Sequence, residues 1–321
     1  MYYYCYMDLA VISSSPRGPL KAQAPELLSL LEAYLSAQDV KQNSRENYRR
    51  TLRQFFAWIA ATGRDLSGLS LPDTIAYKEH LLSSGKSALT VASYITSLRS
   101  FYGWAEANKL YPNITRGLKL PKRKQQFRKQ PLSTDQSRAL LSEPEGLSLR
   151  DYAIINLLLR TGLRTVEIIR ANVEDITYKS GKRVLLVQGK GREERDNFVI
   201  LTDKAYRPLE NYLRSRGRVS SKEPLFTSVS NNSRGGRLTT RTISQIAKTG
   251  LRSIGLDSRE FTAHSLRHTT AVNILRAGGL LEDAQAVLRH ANPATTQIYT
   301  ATIKEEQRLK TAAEELIDSL Y

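Results

Sequence analysis

"KRVLLVQGKGREERDNFVIL", residues 182–201, sets the fold class. Two short runs rich in apolar and β-branched residues flank a charged, glycine-bearing turn, the pattern of a β-hairpin. Almost everything around it carries apolar residues at helical spacing instead. A hairpin set in a helical chain predicts a mainly α protein with a small antiparallel β-sheet.

On the N-terminal side of the hairpin, "LSTDQSRALL" (132–141) places Ser133 and Gln136 at capping-box spacing, and a buried helix is expected around 148–162. On the C-terminal side, helices are expected near 203–216, 240–254, 264–277, 282–289 and 293–300. A last helix is expected over 303–320, with Thr302 and Glu305 as its capping box and an apolar stripe of Leu309, Ala313, Leu316, Ile317 and Leu320. Asn292 and Pro293 fit the N-cap and first turn of the helix before it. These elements form one mixed α/β domain, residues 131–321.

Upstream, residues 23–113 read as a separate helical bundle. In "NSRENYRRTLRQFFAWIAATG" (43–63), Asn43 or Ser44 is the expected N-cap and Gly63 the stop signal. Tyr48, Leu52, Phe55, Phe56 and Ile59 share one face, and Arg49, Arg50 and Arg53 lie on the opposite flank. That flank is either a solvated polar face or a stripe facing a polyanion. Two further helices are expected near 72–84 and 87–107, the second with Val91, Ile95, Leu98 and Tyr102 on one side. Between the bundle and the mixed domain, "ITRGLKLPKRKQQFRKQ" (114–130) holds seven basic residues and no acid. Pro121 interrupts any helix there, so the segment reads as a basic linker in which Lys122, Arg123 and Lys124 lie along phosphates. Residues 1–22 show no period and are expected to form a poorly ordered arm.

Bulk charge agrees with a polyanionic partner. Lys and Arg number 48 against 31 Asp and Glu, a net charge of +17. Each phosphate that such a surface neutralises releases condensed counterions. No apolar run reaches the roughly 18 residues of a membrane span, and the N-terminus lacks the features of a signal peptide. One cysteine, Cys5, leaves no internal disulfide and no cysteine-rich metal site. A cytoplasmic, nucleoid-associated location is the expectation.

Three of the four histidines, His264, His268 and His290, fall within a short span. His264 and His268 have zinc-ligand spacing, but Ser265 occupies the place of a metalloprotease glutamate and no third ligand is evident. Gly189–Gly191 lacks the remaining residues of a phosphate-binding or dinucleotide loop. Neither a metal nor a nucleotide cofactor is expected.

What remains is a set suited to metal-free phosphodiester cleavage: Arg164, Lys190, His264, Arg267, His290 and Tyr299. Planar guanidinium forks clamp non-bridging oxygens, a lysine or histidine protonates the leaving oxygen, and a tyrosine attacks. With a free pKa near 10, only about one phenol in a thousand is ionised at neutral pH, so cationic neighbours would favour attack.

"TGLRTVEI" (161–168), "VQGKGREERDNFVIL" (187–201), "HSLRHTTAVNIL" (264–275) and "LRHANPATTQIYT" (288–300) resemble, in order and spacing, the signature segments of the tyrosine recombinase (phage-integrase) family. The resemblance is greatest to compact two-domain Xer-type or mobile-element recombinases, and the N-terminal bundle resembles that family's core-binding domain. It implies a C-shaped clamp on duplex DNA and a homotetrameric synapse working through a Holliday junction. It also implies a C-terminal helix exchanged between protomers, although that helix could equally fold back on its own domain. Carried over, Arg164, His264 and Arg267 activate the scissile phosphate and Lys190 protonates the 5′ oxygen. His290 hydrogen-bonds the phosphate or assists proton transfer, and Tyr299 forms the 3′-phosphotyrosyl link. Glu167 orients the site, and His268 is a packing or supporting residue. The family usually has glycine where this chain has Arg289, which implies either backbone strain or an added phosphate contact. A type IB topoisomerase-like relaxation activity shares the chemistry and stays open, as does a DNA-binding factor without catalysis. Residues 1–22 are too short for the arm-binding domain of larger phage integrases.

Overall fold

The computed structural model describes residues 20–64, 68–122, 130–142, 146–189, 194–290, 292, 294–311 and 313–321. Lys190, Arg123, Lys124 and Pro293 lie outside the described residues, as does the expected arm up to residue 19. The chain divides into two compact units, Met1–Gln125 and Gln126–Tyr321. Among the described residues, no helix is long and apolar enough to cross a membrane.

The first unit contains four described helices: α1 (Leu20–Ala37), α2 (Gln42–Ala61), α3 (Leu71–Ser83) and α4 (Ala88–Ala107). Its core joins Leu31, Tyr34 and Leu35 to Leu52, Phe55 and Ile59 of α2, Tyr77 and Leu81 of α3, and Val91, Ile95, Leu98 and Tyr102 of α4. Rings meet edge to face, Tyr34 with Phe101 at 5.4 Å and Phe55 with Tyr77 at 5.0 Å between centroids. Each such pair adds about 0.5–1.5 kcal/mol beyond its buried area. The Ser87 hydroxyl caps α4 by accepting from the Thr90 N–H.

The start of α2 differs from expectation. Lys41, extended at φ −62° and ψ 152°, is the N-cap, and its carbonyl accepts from the N–H groups of Ser44 and Arg45. Asn43 and Ser44 thus sit inside the first turn, and no side chain caps the helix. Of the three arginines on its flank, Arg49 ion-pairs with Glu32 at 2.8 Å and Glu46 at 2.7 Å. Arg50 is exposed beside Asn47, and Arg53 is half-buried. Packing of this unit continues past residue 113, because Leu118 is buried in its core and its carbonyl accepts from Arg99.

The second unit opens with α5 (Thr134–Leu141), whose Ser133–Gln136 capping box forms in both directions. The central helix α6 (Leu149–Thr161) is buried along nearly its whole length. Around it lie α7 (Thr165–Arg170), α8 (Asp203–Ser215), α9 (Thr240–Ser253) and α10 (Ala263–Arg276). The sheet has three antiparallel strands in the order β1 (Ile176–Lys179), β2 (Lys182–Val187), β3 (Asn197–Ile200). Leu185 pairs with Val199, and both point into the core. Strand β1 was not expected from the sequence. It pairs with β2 across Ser180 and Gly181, which have φ of +48° and +74°, the left-handed pair that a tight hairpin requires.

The C-terminal region also departs from expectation. After α11 (Leu281–Leu288), a single helix α12 (Ala294–Thr311) runs through the anticipated break, followed by α13 (Ala313–Asp318). Thr302 and Glu305 are therefore interior residues and not a capping box. Neither Gly nor Pro interrupts 294–311, and Arg276 of α10 grips Glu306 through two hydrogen bonds at 2.6 and 3.0 Å. That grip keeps the helix going past its site-bearing first turns. Beyond it the apolar side chains are bare, with Leu309 76% and Leu320 78% exposed.

Candidate active site

Three chain segments converge in the second unit. The first is the end of α6 and the start of α7. Gly162 closes α6 in the left-handed conformation at φ +60°. A β-carbon there would come within 2.5 Å of Leu288 and 3.4 Å of Thr270, so glycine lets α6 approach the end of α11. Arg164 is the N-cap of α7, and Glu167 turns back on it. The Glu167 carboxylate accepts from the Arg164 N–H at 2.7 Å and from its guanidinium at 2.9 Å.

The second segment is α10. Its helical spacing leaves His264 exposed and buries Arg267 and His268, each about 2% exposed. The Arg267 guanidinium donates to the carbonyls of Gly162 and Leu288, both at helix ends. These are the carbonyls that lack intrahelical donors, and a cation there also meets the negative ends of two helix dipoles. Thr270 locks α10 to α6 by donating to the Leu159 carbonyl at 2.8 Å.

The third segment runs from α11 to α12. Arg289 ends α11 at φ 54° and ψ 48°, a left-handed position that costs a non-glycine residue roughly 1–2 kcal/mol. The strain expected from the missing glycine is therefore present. The alternative, a phosphate contact by Arg289, is not how its side chain is placed: it is 7% exposed and ion-paired with Glu167 at 2.8 Å. Its Nε is buried without a hydrogen-bond partner among the described residues. His290 follows, its Nδ1 3.0 Å from the Thr296 hydroxyl. With that hydroxyl as donor, the ring proton sits on Nε2, free to face a phosphate. Tyr299 lies on α12, 4% exposed, its ring stacked on His290 at 6.3 Å and tilted against His268 at 4.8 Å.

Charge in this cluster is concentrated and dry. Burial would push the Glu167 carboxyl up, but the charges of Arg289 and Arg164 bring it below its ordinary value. Burial, reinforced by Arg164 and Arg289, pushes Arg267 down to about 9. Tyr299 is raised by burial, which outweighs the opposing pull of Arg267 and Arg164. The cationic neighbours anticipated from sequence are present, yet the resting phenol stays protonated. His290 is lowered from 6.5 to about 4 by burial, then by Arg267, Arg164, Arg289 and His264, and is neutral at pH 7.

A pH dependence of stability follows for His290. The unfolded chain binds a proton at this residue below about pH 6.5, and the folded chain only below about 4. Its contribution is full above 6.5 and is lost as pH falls toward 4. The thermal midpoint of the wild type should therefore fall across that window more steeply than that of His290→Gln.

Of the sequence-derived set, Arg164, Glu167, Arg267, His268, His290 and Tyr299 come together, with His264 close enough to act on His290. Lys190 is outside the described residues, but both stems of its hairpin are pinned. Arg170 donates to the Gly189 carbonyl at 2.9 Å, and Arg195 pairs with Asp175 at 2.7 Å. Sequence reading missed Thr296, fully buried beside His290, although its place one helical turn before Tyr299 signals a shared face. It also missed Gly162, Thr270 and Arg276, whose partners lie more than 100 residues away or on later helices.

Residues 130–306 match the model of the phage integrase family, and residues 28–109 match that of the phage integrase N-terminal SAM-like domain. Tyrosine recombinase XerC of Pelobacter propionicus is 34% identical over 79% of this chain and 82% of its own length. Tyrosine recombinase XerD of Pseudomonas aeruginosa is 32% identical over 86% of this chain and 92% of its own. In fold, the chain resembles the XerH site-specific recombinase bound to palindromic difH substrate, with a TM-score of 0.71 at 19% identity, covering 96% of this chain and 93% of that one. The chain therefore belongs to the phage integrase family, as a tyrosine recombinase of the Xer type.

Proposed function

We infer that the protein carries out site-specific DNA recombination by metal-independent transesterification, with Tyr299 as nucleophile. The observation that carries this is the meeting of Tyr299 and His290 with the buried Arg267 and the half-exposed Arg164 around one small site. A phosphodiester placed there receives the guanidinium groups on its non-bridging oxygens, and His264 and the His290 Nε2–H add further donors. The Tyr299 oxygen bonds to phosphorus and passes its proton to solvent water as it does so. The P–O5′ bond breaks, and Lys190 delivers a proton to the departing oxygen. The phosphoryl group stays on Tyr299 as a 3′-phosphotyrosine, so bond energy is retained and no cofactor is consumed. Attack by the 5′ hydroxyl of a second duplex reverses the chemistry and exchanges a strand, and the other strand pair follows through a Holliday junction.

Arg50 and Arg53 of the helical first unit and the linker residues Lys122, Arg123 and Lys124 are assigned to the duplex backbone. Arg49 contributes less direct charge because two glutamates neutralise it. Strand exchange needs paired sites, so a homotetramer on synapsed DNA is part of the proposal. The bare Leu309, Leu316, Ile317 and Leu320 supply a C-terminal surface for exchange between protomers.

The test uses two copies of a duplex selected by this protein from a random library, incubated in EDTA. Recombinant products of both parental lengths support the assignment. Sequence-independent plasmid relaxation without exchange points to topoisomerase-like activity, and binding without any covalent adduct to a DNA-binding factor.

A further inference from the structure

Arg289 stands at a left-handed backbone position, φ 54°, where glycine would be unstrained, and its side chain is almost completely buried. A residue retained in that conformation calls for a compensating interaction. Its two hydrogen bonds run to the Val287 carbonyl at 2.6 Å and to Glu167 Oε2 at 2.8 Å, a residue 122 positions away in sequence. The first closes its own helix end. The second reaches across the site to α7.

Glu167 is 1% exposed and already bound to Arg164, by Oε1 to the guanidinium at 2.9 Å and by Oε2 to the backbone N–H at 2.7 Å. One carboxylate therefore serves two guanidinium groups. With glycine at 289, the Glu167 charge would fall on Arg164 alone, and that pair would be neutral overall. With arginine, Arg164, Glu167 and Arg289 together keep one net positive charge, beside the buried cation of Arg267. A phosphodiester carries one negative charge and gathers more as the fifth bond to phosphorus forms. In a dry site that difference acts with little screening.

We propose that Arg289 is a positioning residue: by sharing Glu167 with Arg164 it leaves Arg164 its charge for the scissile phosphate and ties the turn before His290 to α7. The assignment rests on the reading of this site as a phosphodiester-cleaving centre. In this assignment Arg289 acts on the phosphate through Glu167, to which its Nη2 donates, and not by direct contact with DNA.

The experiment compares wild type, Arg289→Gly, Arg289→Lys, Glu167→Gln and the Arg289→Gly/Glu167→Gln double variant in single-turnover formation of the covalent adduct. A nicked suicide duplex is used, with Tyr299→Phe as the blank. Glycine relieves the left-handed backbone, so the variant is expected to fold, and its thermal midpoint is recorded alongside. Arg289→Gly should lower the rate at saturating DNA by about 10- to 100-fold, a span typical of groups that orient a reacting residue, with half-saturating DNA within about twofold of wild type. Arg289→Lys, which keeps the charge, should recover much of the rate. In the Glu167→Gln background, removing Arg289 should add little, because both act through the same carboxylate.

A rise in half-saturating DNA with an unchanged maximal rate would overturn the proposal in favour of direct DNA contact. A changed thermal midpoint with unchanged kinetics would reduce Arg289 to a helix-end residue. Independent, multiplicative losses in the double variant would remove Glu167 from the account. An active wild type with an unaffected Arg289→Gly overturns this assignment alone. No adduct from wild type, or an equal one from Tyr299→Phe, overturns the reading of the site and this assignment with it.

Discussion

Tyr299→Phe is expected to reduce covalent adduct formation by at least about 10⁴-fold, the scale on which removal of an enzyme nucleophile falls, while leaving DNA binding and folding close to wild type. The asymmetry comes from the surroundings of the ring. Tyr299 is 4% exposed, and its ring packs on His268 and His290 and joins the small core of Ala271, Val272, Ala284 and Leu288. Phenylalanine keeps all of that packing and loses only the hydroxyl. That hydroxyl is already held protonated by burial, so its deletion adds no unpaired charge. A filter-binding curve and a melting curve that overlay the wild type, beside an empty adduct lane, are the expected set. Loss of binding and adduct together would mean that the ring serves structure and that the nucleophile lies elsewhere.

Arg267→Ala should have the second-largest effect, and it should appear in both chemistry and stability. Removing one preorganised donor to a developing oxyanion typically costs about 10²- to 10³-fold in rate. A guanidinium has several donors, so the loss should reach at least that range. On the structural side, the carbonyls of Gly162 and Leu288 would lose their donor in a buried place. Each unsatisfied group costs about 1–3 kcal/mol. Part of that is offset, because Arg267 is itself a desolvated cation pushed down to about 9 by burial. A net drop in melting temperature and a cleavage defect are therefore expected together, separating this variant from Tyr299→Phe. Arg267→Lys should not rescue, since one ammonium cannot serve two carbonyls and a phosphate with the planar fork that guanidinium provides. Restoration of wild-type cleavage by lysine would show that charge alone suffices.

How much of this was legible in the sequence depended on how local the cause was. Helix α5 could be placed because Ser133 and Gln136 satisfy each other across three residues. Helix α6 could be placed by its dense apolar content, but the left-handed turn of Gly162 that closes it against α11 was not read. The β2–β3 hairpin announced itself by strand composition on both sides of a glycine-bearing turn. Strand β1 did not, because "ITYK" is four residues long and its pairing depends on Ser180 and Gly181 turning the chain back. A capping-box spacing at Thr302 and Glu305 suggested a helix start that the chain does not use. The same residue pair is unremarkable inside a helix when a distant Arg276–Glu306 contact carries that helix onward. The site was legible as a set of residue types in order, but not in its support. The partner of Arg289 lies 122 positions back, and the burial that raises Tyr299 depends on α10 and α11 closing over it. Both are tertiary facts.

Covalent attachment of Tyr299 to the DNA is tested by trapping the adduct on a nicked suicide duplex in EDTA. The trapped protein is then digested with protease and nuclease, and the nucleotide-bearing peptide is sequenced by mass spectrometry. One modified peptide is expected, with the nucleotide joined through its 3′ phosphate to the oxygen of Tyr299. A nucleotide on any other residue, or an adduct that forms only when a divalent metal is restored, would contradict it.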